Sequence, residues 1–237
     1  MSHRLEGQDW LTASSTRAVM AALPAAVAAC AALAEGVEQL SAERVSKELL
    51  KLLAAPDPRP AVRLMADAGV LERVLRQLGD LALFERMTDL SGDAVLRLSA
   101  LLPEDALKVA EIARVLRLSN AQRDRLVEAA AGQTTTGLTE RQARAAIYRD
   151  GRQAFEDRVM RAWAAGGDAD DARRLLALAR DWSRPVMPVG GRDLARLGLK
   201  PGPETGRVLK AFEDGWIADD FPGQGHEERL RALLPPA

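Results

Sequence analysis

Ser41-Ala42-Glu43-Arg44-Val45-Ser46-Lys47-Glu48-Leu49-Leu50-Lys51-Leu52-Leu53 is the stretch from which the fold is read. Ser41 is a natural N-cap, and Glu43 puts negative charge in the first turn, where the helix dipole favours it. Glu43 and Lys47 stand four apart in the favourable order for an ion pair. Val45, Leu49, Leu52 and Leu53 then form one apolar stripe at helical spacing. The segment predicts an amphipathic helix with a core on one side, a helix that joins two parts of a structure.

Working outward, the same grammar repeats. Upstream, Trp10, Leu11, Val19, Met20 and Leu23 mark a helix over residues 10–23 that Pro24 interrupts, and an Ala-rich helix over 25–40 follows. Downstream, Pro56-Asp57-Pro58-Arg59-Pro60 is a stop, since each proline removes a donor and pushes its predecessor toward extended backbone. Short helices follow over 61–68, 70–78, 81–90, 94–102, 104–118, 121–131, 139–149, 152–165 and 169–182. Gly69 and Gly79 are read as closing the first two, and Ser, Pro, Asn and Gly punctuate the rest. No stretch alternates with period two long enough to predict a strand. The expected fold is all-α, a multi-helix array of short helices ending in a small tail subdomain.

Composition narrows the function classes. The chain has 237 residues, 47% apolar and 28% charged, a globular profile with a net charge of -1. No global field advertises nucleic acid, so an RNA surface has to be a local patch. One cysteine, Cys30, rules out a disulfide framework, and His3 and His226, the two histidines, add no metal cluster. The N-terminus lacks a signal-peptide core and no apolar run reaches the ~18 residues needed to span a bilayer, so a cytoplasmic location without a membrane partner is expected.

Two local patterns carry candidate chemistry. Arg141, Arg144, Tyr148 and Arg152 recur at spacings three, four and four, a basic stripe with one aromatic that suits an RNA backbone if Gly151 does not break the helix first. Residues 187–209 read as two short helices around a tight turn, with Gly198 a left-handed cap and Pro203 at the first position of the second helix. That helix N-terminus, with Lys200, Arg207 and Lys210 nearby, suits a phosphate.

In combination these segments resemble a known family. Residues 40–53 with Glu43, Arg44 and Glu48, then 61–71, 148–163, and the tail pattern Gly191, Asp193, Leu194, Gly198, Pro201, Gly202, Gly206 and Leu209, are similar to the C-terminal neck, body and tail of bacterial CCA-adding enzymes, the tRNA nucleotidyltransferase and poly(A) polymerase family. The resemblance runs from about residue 28 to 221. It implies an N-terminal helix over 1–24, residual neck helices over 25–55, a helical body over 56–183 and a helical tail over 184–237. It also implies that Glu43, Arg44 and Glu48 are the neck motif, and that tRNA is the partner, held by shape and phosphate contacts.

The catalytic head of that family is not matched. Residues 23–25 run straight from the first helix toward the neck, as though a domain's worth of chain, more than about a hundred residues, were excised there. The expectation is a tRNA-binding helical region that is inactive alone, without a cofactor of its own, magnesium belonging to the complete family enzyme. Two alternatives stand beside it: a split enzyme that adds C and A to tRNA 3' ends when a separate head polypeptide docks on it, and a truncated relic. Gly190-Gly191-Arg192-Asp193 and Asp168-Ala169-Asp170 imitate the family's phosphate loop and paired metal aspartates, but their spacing and order are wrong and neither adjoins a strand. Asp168 is instead expected to cap a helix. Glu156-Asp157-Arg158 echoes a templating motif at the wrong place and is expected to be a solvent-facing turn. An apolar surface around Val45 and Leu49, bare or covered by the helix over 10–23, is the structural expectation.

Overall fold

The computed structural model describes residues 41–131 and 136–234, and the expected helices over 10–23 and 25–40 lie outside the described residues. Among the described residues there are thirteen α-helices and no strand, so the fold is all-α. The chain divides into two compact units between residues 133 and 134.

The first unit is arranged around its most apolar helix. Helix α1 (Ala42–Leu53) opens at Ser41, which accepts from the Arg44 N–H, and is followed by α2 (Arg59–Asp67), α3 (Val70–Leu75), α4 (Leu81–Leu90), α5 (Ala94–Leu101), α6 (Ala106–Val115) and α7 (Asn120–Ala130). Helix α5 packs against α1, α4 and α7. Its residues 96–101 are all buried, as a helix apolar on every side must be. Leu49 and Leu53 of α1 are buried too, and Val45 and Leu52 half-buried, so the apolar stripe around Val45 and Leu49 is covered rather than bare.

Arg97 is the charged exception inside α5, 3% exposed. Its Nη1 donates to the carbonyls of Leu53 and Ala55, each at 2.7 Å, its Nε to Ser91 O at 2.5 Å, and its Nη2 to Thr88 O at 3.3 Å. These are carbonyls that end α1 and α4, groups without an intrahelical partner and at the negative ends of two helix dipoles. One guanidinium therefore closes two helices, and burial lowers its pKa from the ordinary arginine value.

Several boundaries differ from expectation for local reasons. Helix α3 stops at Leu75 because Arg76 itself adopts the left-handed conformation, φ 62°. Gly79 serves instead as a point of close approach: its N–H donates to Leu101 O at 2.7 Å, and a Cβ there would lie 2.6 Å from Leu102 O. Helix α6 ends three residues early because Arg117 turns left-handed, φ 50°. Arg117 then reaches Glu43 at 2.6 Å, so the Glu43 carboxylate is held by Arg117 rather than by Lys47.

The second unit comprises α8 (Glu140–Asp150), α9 (Arg152–Ala164), α10 (Ala169–Asp181), α11 (Gly191–Arg196), α12 (Pro203–Ala218) and α13 (His226–Leu233). Helix α8 feeds two cores from adjacent positions. Ala143 and Ile147 pack with Phe155, Val159, Leu175 and Ala179, whereas Tyr148 packs with Leu194, Val208, Phe212, Trp216 and Leu230. Asp168 caps α10 through the Asp171 N–H at 2.7 Å. Gly198, φ 89°, follows the end of α11, and Pro203 opens α12.

The segment 156–158 corrects an expectation. Asp157 and Arg158 are buried, at 2% and 8% exposure, instead of facing solvent. Arg158 Nη2 donates to Asp150 Oδ2 at 2.5 Å and Gln153 Nε2 to Asp157 Oδ1 at 3.0 Å, so this stretch braces α8 and α9.

Candidate nucleic-acid interface

The first unit offers a cationic surface on the outer side of α1. At about 100° per residue, Arg44, Lys47 and Lys51 fall within roughly 60° of one another, nearly opposite the Val45, Leu49, Leu52 and Leu53 stripe. All three are exposed, and they extend along about 10 Å of helix axis. Packing the leucines on α5 thus turns the three cations outward. Glu48 sits among them, touching Lys51 only loosely at 4.0 Å with both side chains in solvent, a contact of negligible strength. Glu43 is held by Arg117, and its carboxyl lies below the ordinary glutamate range because of its own backbone N–H and the Arg117 guanidinium. Among the described residues of α1 and its partner Arg117, the cations Arg44, Lys47, Lys51 and Arg117 stand against the carboxylates of Glu43 and Glu48, a local positive excess on a chain whose net charge is -1. The 3,4 spacing of Arg44, Lys47 and Lys51 was the signal in the sequence that could have exposed this face.

In the second unit the expected stripe is divided. Arg141 is exposed, with no carboxylate partner among the described residues. Arg144 is half-buried in a two-pronged bond to Asp220, at 2.9 and 2.7 Å, with Glu140 at 3.1 Å, and Asp220 above all raises its pKa. Tyr148 is 6% exposed and set in an aromatic group with Trp216 and Phe221, ring centroids 5.8 and 5.2 Å away. Its hydroxyl donates to Glu213 Oε1 at 3.1 Å, and burial followed by Glu213 pushes its pKa up. Gly151, φ 86°, does break the helix, so Arg152 begins α9 and donates to Trp182 O at 3.2 Å.

The tail cations differ in the same way. Lys200 is exposed with no carboxylate partner among the described residues, while Arg207 pairs with Glu204 at 2.5 Å and Lys210 with Asp214 at 2.8 Å and Glu213 at 3.5 Å. The N-terminus of α12 has no side-chain cap. By contrast, Asp193 accepts from the Gly190 N–H at 2.8 Å, so Gly190-Gly191-Arg192-Asp193 is a helix start and not a phosphate loop. Arg184 was not anticipated: its guanidinium lies 4.6 Å from the Tyr148 ring centroid.

Among the described residues no three His, Cys, Asp or Glu side chains converge to hold a metal ion. Asp168 is spent on its cap and Asp170 on Arg173 at 2.6 Å, so this pair does not fit a two-metal site. No described helix is long and apolar enough to cross a membrane.

Comparison with known proteins bears on the α1 surface directly. A family model described as "Probable RNA and SrmB-binding site of polymerase A" matches residues 24–81, a span that contains α1, α2 and α3. A protein of Streptococcus gordonii named CCA-adding enzyme is 30% identical over 201 residues, covering 78% of this chain and 49% of that protein. The chain spans about half the length of this curated relative.

Proposed function

We propose, for a chain that is a relative of the CCA-adding enzymes and poly(A) polymerases, that its helices form the tRNA-holding part of the family's machinery. The observation that carries this reading is a coincidence of place. The span similar to an RNA-binding region contains the one described helix whose outer face gathers Arg44, Lys47 and Lys51 away from a covered apolar stripe. Cations at that spacing, exposed and poorly neutralised, suit consecutive phosphates of a folded RNA and carry no base code. Holding tRNA by backbone and shape fits a protein that has to accept many tRNA sequences.

Within the second unit we assign supporting phosphate contacts to Arg141 and Lys200, whose charges are not spent on carboxylates, and lesser ones to Arg152, Arg207 and Lys210. Arg144 and Tyr148 act in this reading as braces for the helices that carry them. Nucleotide transfer from CTP and ATP belongs to a catalytic head outside the described residues, with magnesium held there, and the described helices alone are inactive.

The test is a fluorescence-anisotropy titration at low salt of unfractionated tRNA against a DNA duplex of similar length. Preferential binding of tRNA supports the reading. Equal binding to both, or binding to neither, sinks it.

A further inference from the structure

The contact between Arg184 and Tyr148 assigns a job to an aromatic that is itself out of reach of RNA. We infer that the Arg184 guanidinium, seated over the Tyr148 ring, is a stacking platform for an unpaired nucleobase; this rests on the reading of the chain as a tRNA-binding protein. Tyr148 is fixed beneath it by Trp216, Phe221 and its bond to Glu213, so the ring cannot swing away. Arg184 lies 4.6 Å from the ring centroid, within the range of a cation–π contact, yet is exposed, which leaves its second face to solvent.

A second arginine on a ring in this unit shows what is particular here. Arg173 lies 5.3 Å from the Trp163 ring centroid, but its charge is taken by Asp170 at 2.6 Å. Arg184 has no carboxylate partner among the described residues, so it keeps both a free planar face and a free charge. Two residues on along the same linker, Val186 is 87% exposed, an apolar side chain turned to solvent beside a charged one. Unstacked RNA bases are read by stacking on aromatic rings or guanidinium planes, and a guanidinium also meets the adjoining phosphate. Lysine supplies the charge but no plane.

The experiment compares the full chain with Arg184→Lys and Arg184→Ala, each titrated with tRNA and with a blunt, fully paired RNA duplex. Stacking predicts that both Arg184 variants lose about tenfold in tRNA affinity, the scale of one stacked base. It also predicts that their duplex affinity stays within about twofold of the parent, because a stacked base is worth far more than one screened charge. An Arg184→Lys variant that binds tRNA like the parent, or a duplex affinity that falls as far as the tRNA affinity, overturns the platform while leaving tRNA binding intact. Failure of the parent itself to bind tRNA overturns both.

Discussion

Arg97 Nη1 and the Leu53 carbonyl meet at 2.7 Å, in a bond that joins the middle of α5 to the last residue of α1 across 44 positions. Through it the helix that bears Arg44, Lys47 and Lys51 is anchored to the centre of its unit. Replacing Arg97 with Ala removes the donors of four carbonyls and leaves a cavity in α5's surroundings. The expected loss is about 3 kcal/mol or more, read as a fall in the urea midpoint by circular dichroism. Arg97→Lys, which cannot reproduce the fork, is expected to fall between the two.

Gly79 makes a second prediction about the same helix. A Cβ at that position would lie 2.6 Å from Leu102 O, and the obstacle is backbone. Gly79→Ala is expected to destabilise by about 1–3 kcal/mol, the cost of overpacking, which outweighs the benefit of the smaller conformational freedom that alanine leaves the unfolded chain. A neutral result in the same urea assay would show that the loop relaxes freely.

Asp93 links stability to pH. Its Oδ1 caps α5 through the Leu96 N–H at 2.8 Å and its Oδ2 meets Arg125 at 2.9 Å. Burial pushes its carboxyl up, but the Leu96 N–H and Arg125 outweigh that and hold it below the ordinary aspartate value. The unfolded chain binds this proton more tightly, so ionised Asp93 stabilises fully above about pH 4 and the benefit fades as pH falls through the lower folded value. Asp93→Asn keeps a good cap but cannot ionise. Its stability is expected to vary less steeply with acid than the parent's, which parallel acid titrations of the two proteins would show.

Much of this was legible in the sequence because it is local. Ser41, Asp168, Gly198 and Pro203 do at their helix ends what their types predict, since a cap depends on neighbours within four residues. Arg97 was less legible: a lone arginine in Ala94-Val95-Leu96-Arg97-Leu98-Ser99-Ala100-Leu101 signals a buried charge in need of acceptors, but those acceptors are backbone groups of two other helices. The Arg141 to Arg152 stripe is divided for a related reason. Ile147 and Tyr148 are adjacent yet serve different cores, and Arg144 finds Asp220 76 residues away, neither of which periodicity along one helix reveals. The outer face of α1 was present in the spacing and is the complement of the leucine stripe.

The assignment of catalysis elsewhere has its own check. Purified chain, tRNA lacking its 3' end, magnesium and labelled CTP are expected to give no incorporation above a protein-free control. Incorporation by this polypeptide alone would contradict the proposal.

The central claim, that α1 holds tRNA through its outer cations, is tested most directly by the salt dependence of tRNA affinity for the parent and for Arg44→Gln/Lys47→Gln/Lys51→Gln. These side chains are exposed, so the variant is expected to fold like the parent. The account predicts weaker binding at every salt concentration and a log–log slope smaller by about 2 to 3, roughly one per phosphate contact removed. An unchanged affinity and slope in the folded triple variant would contradict it.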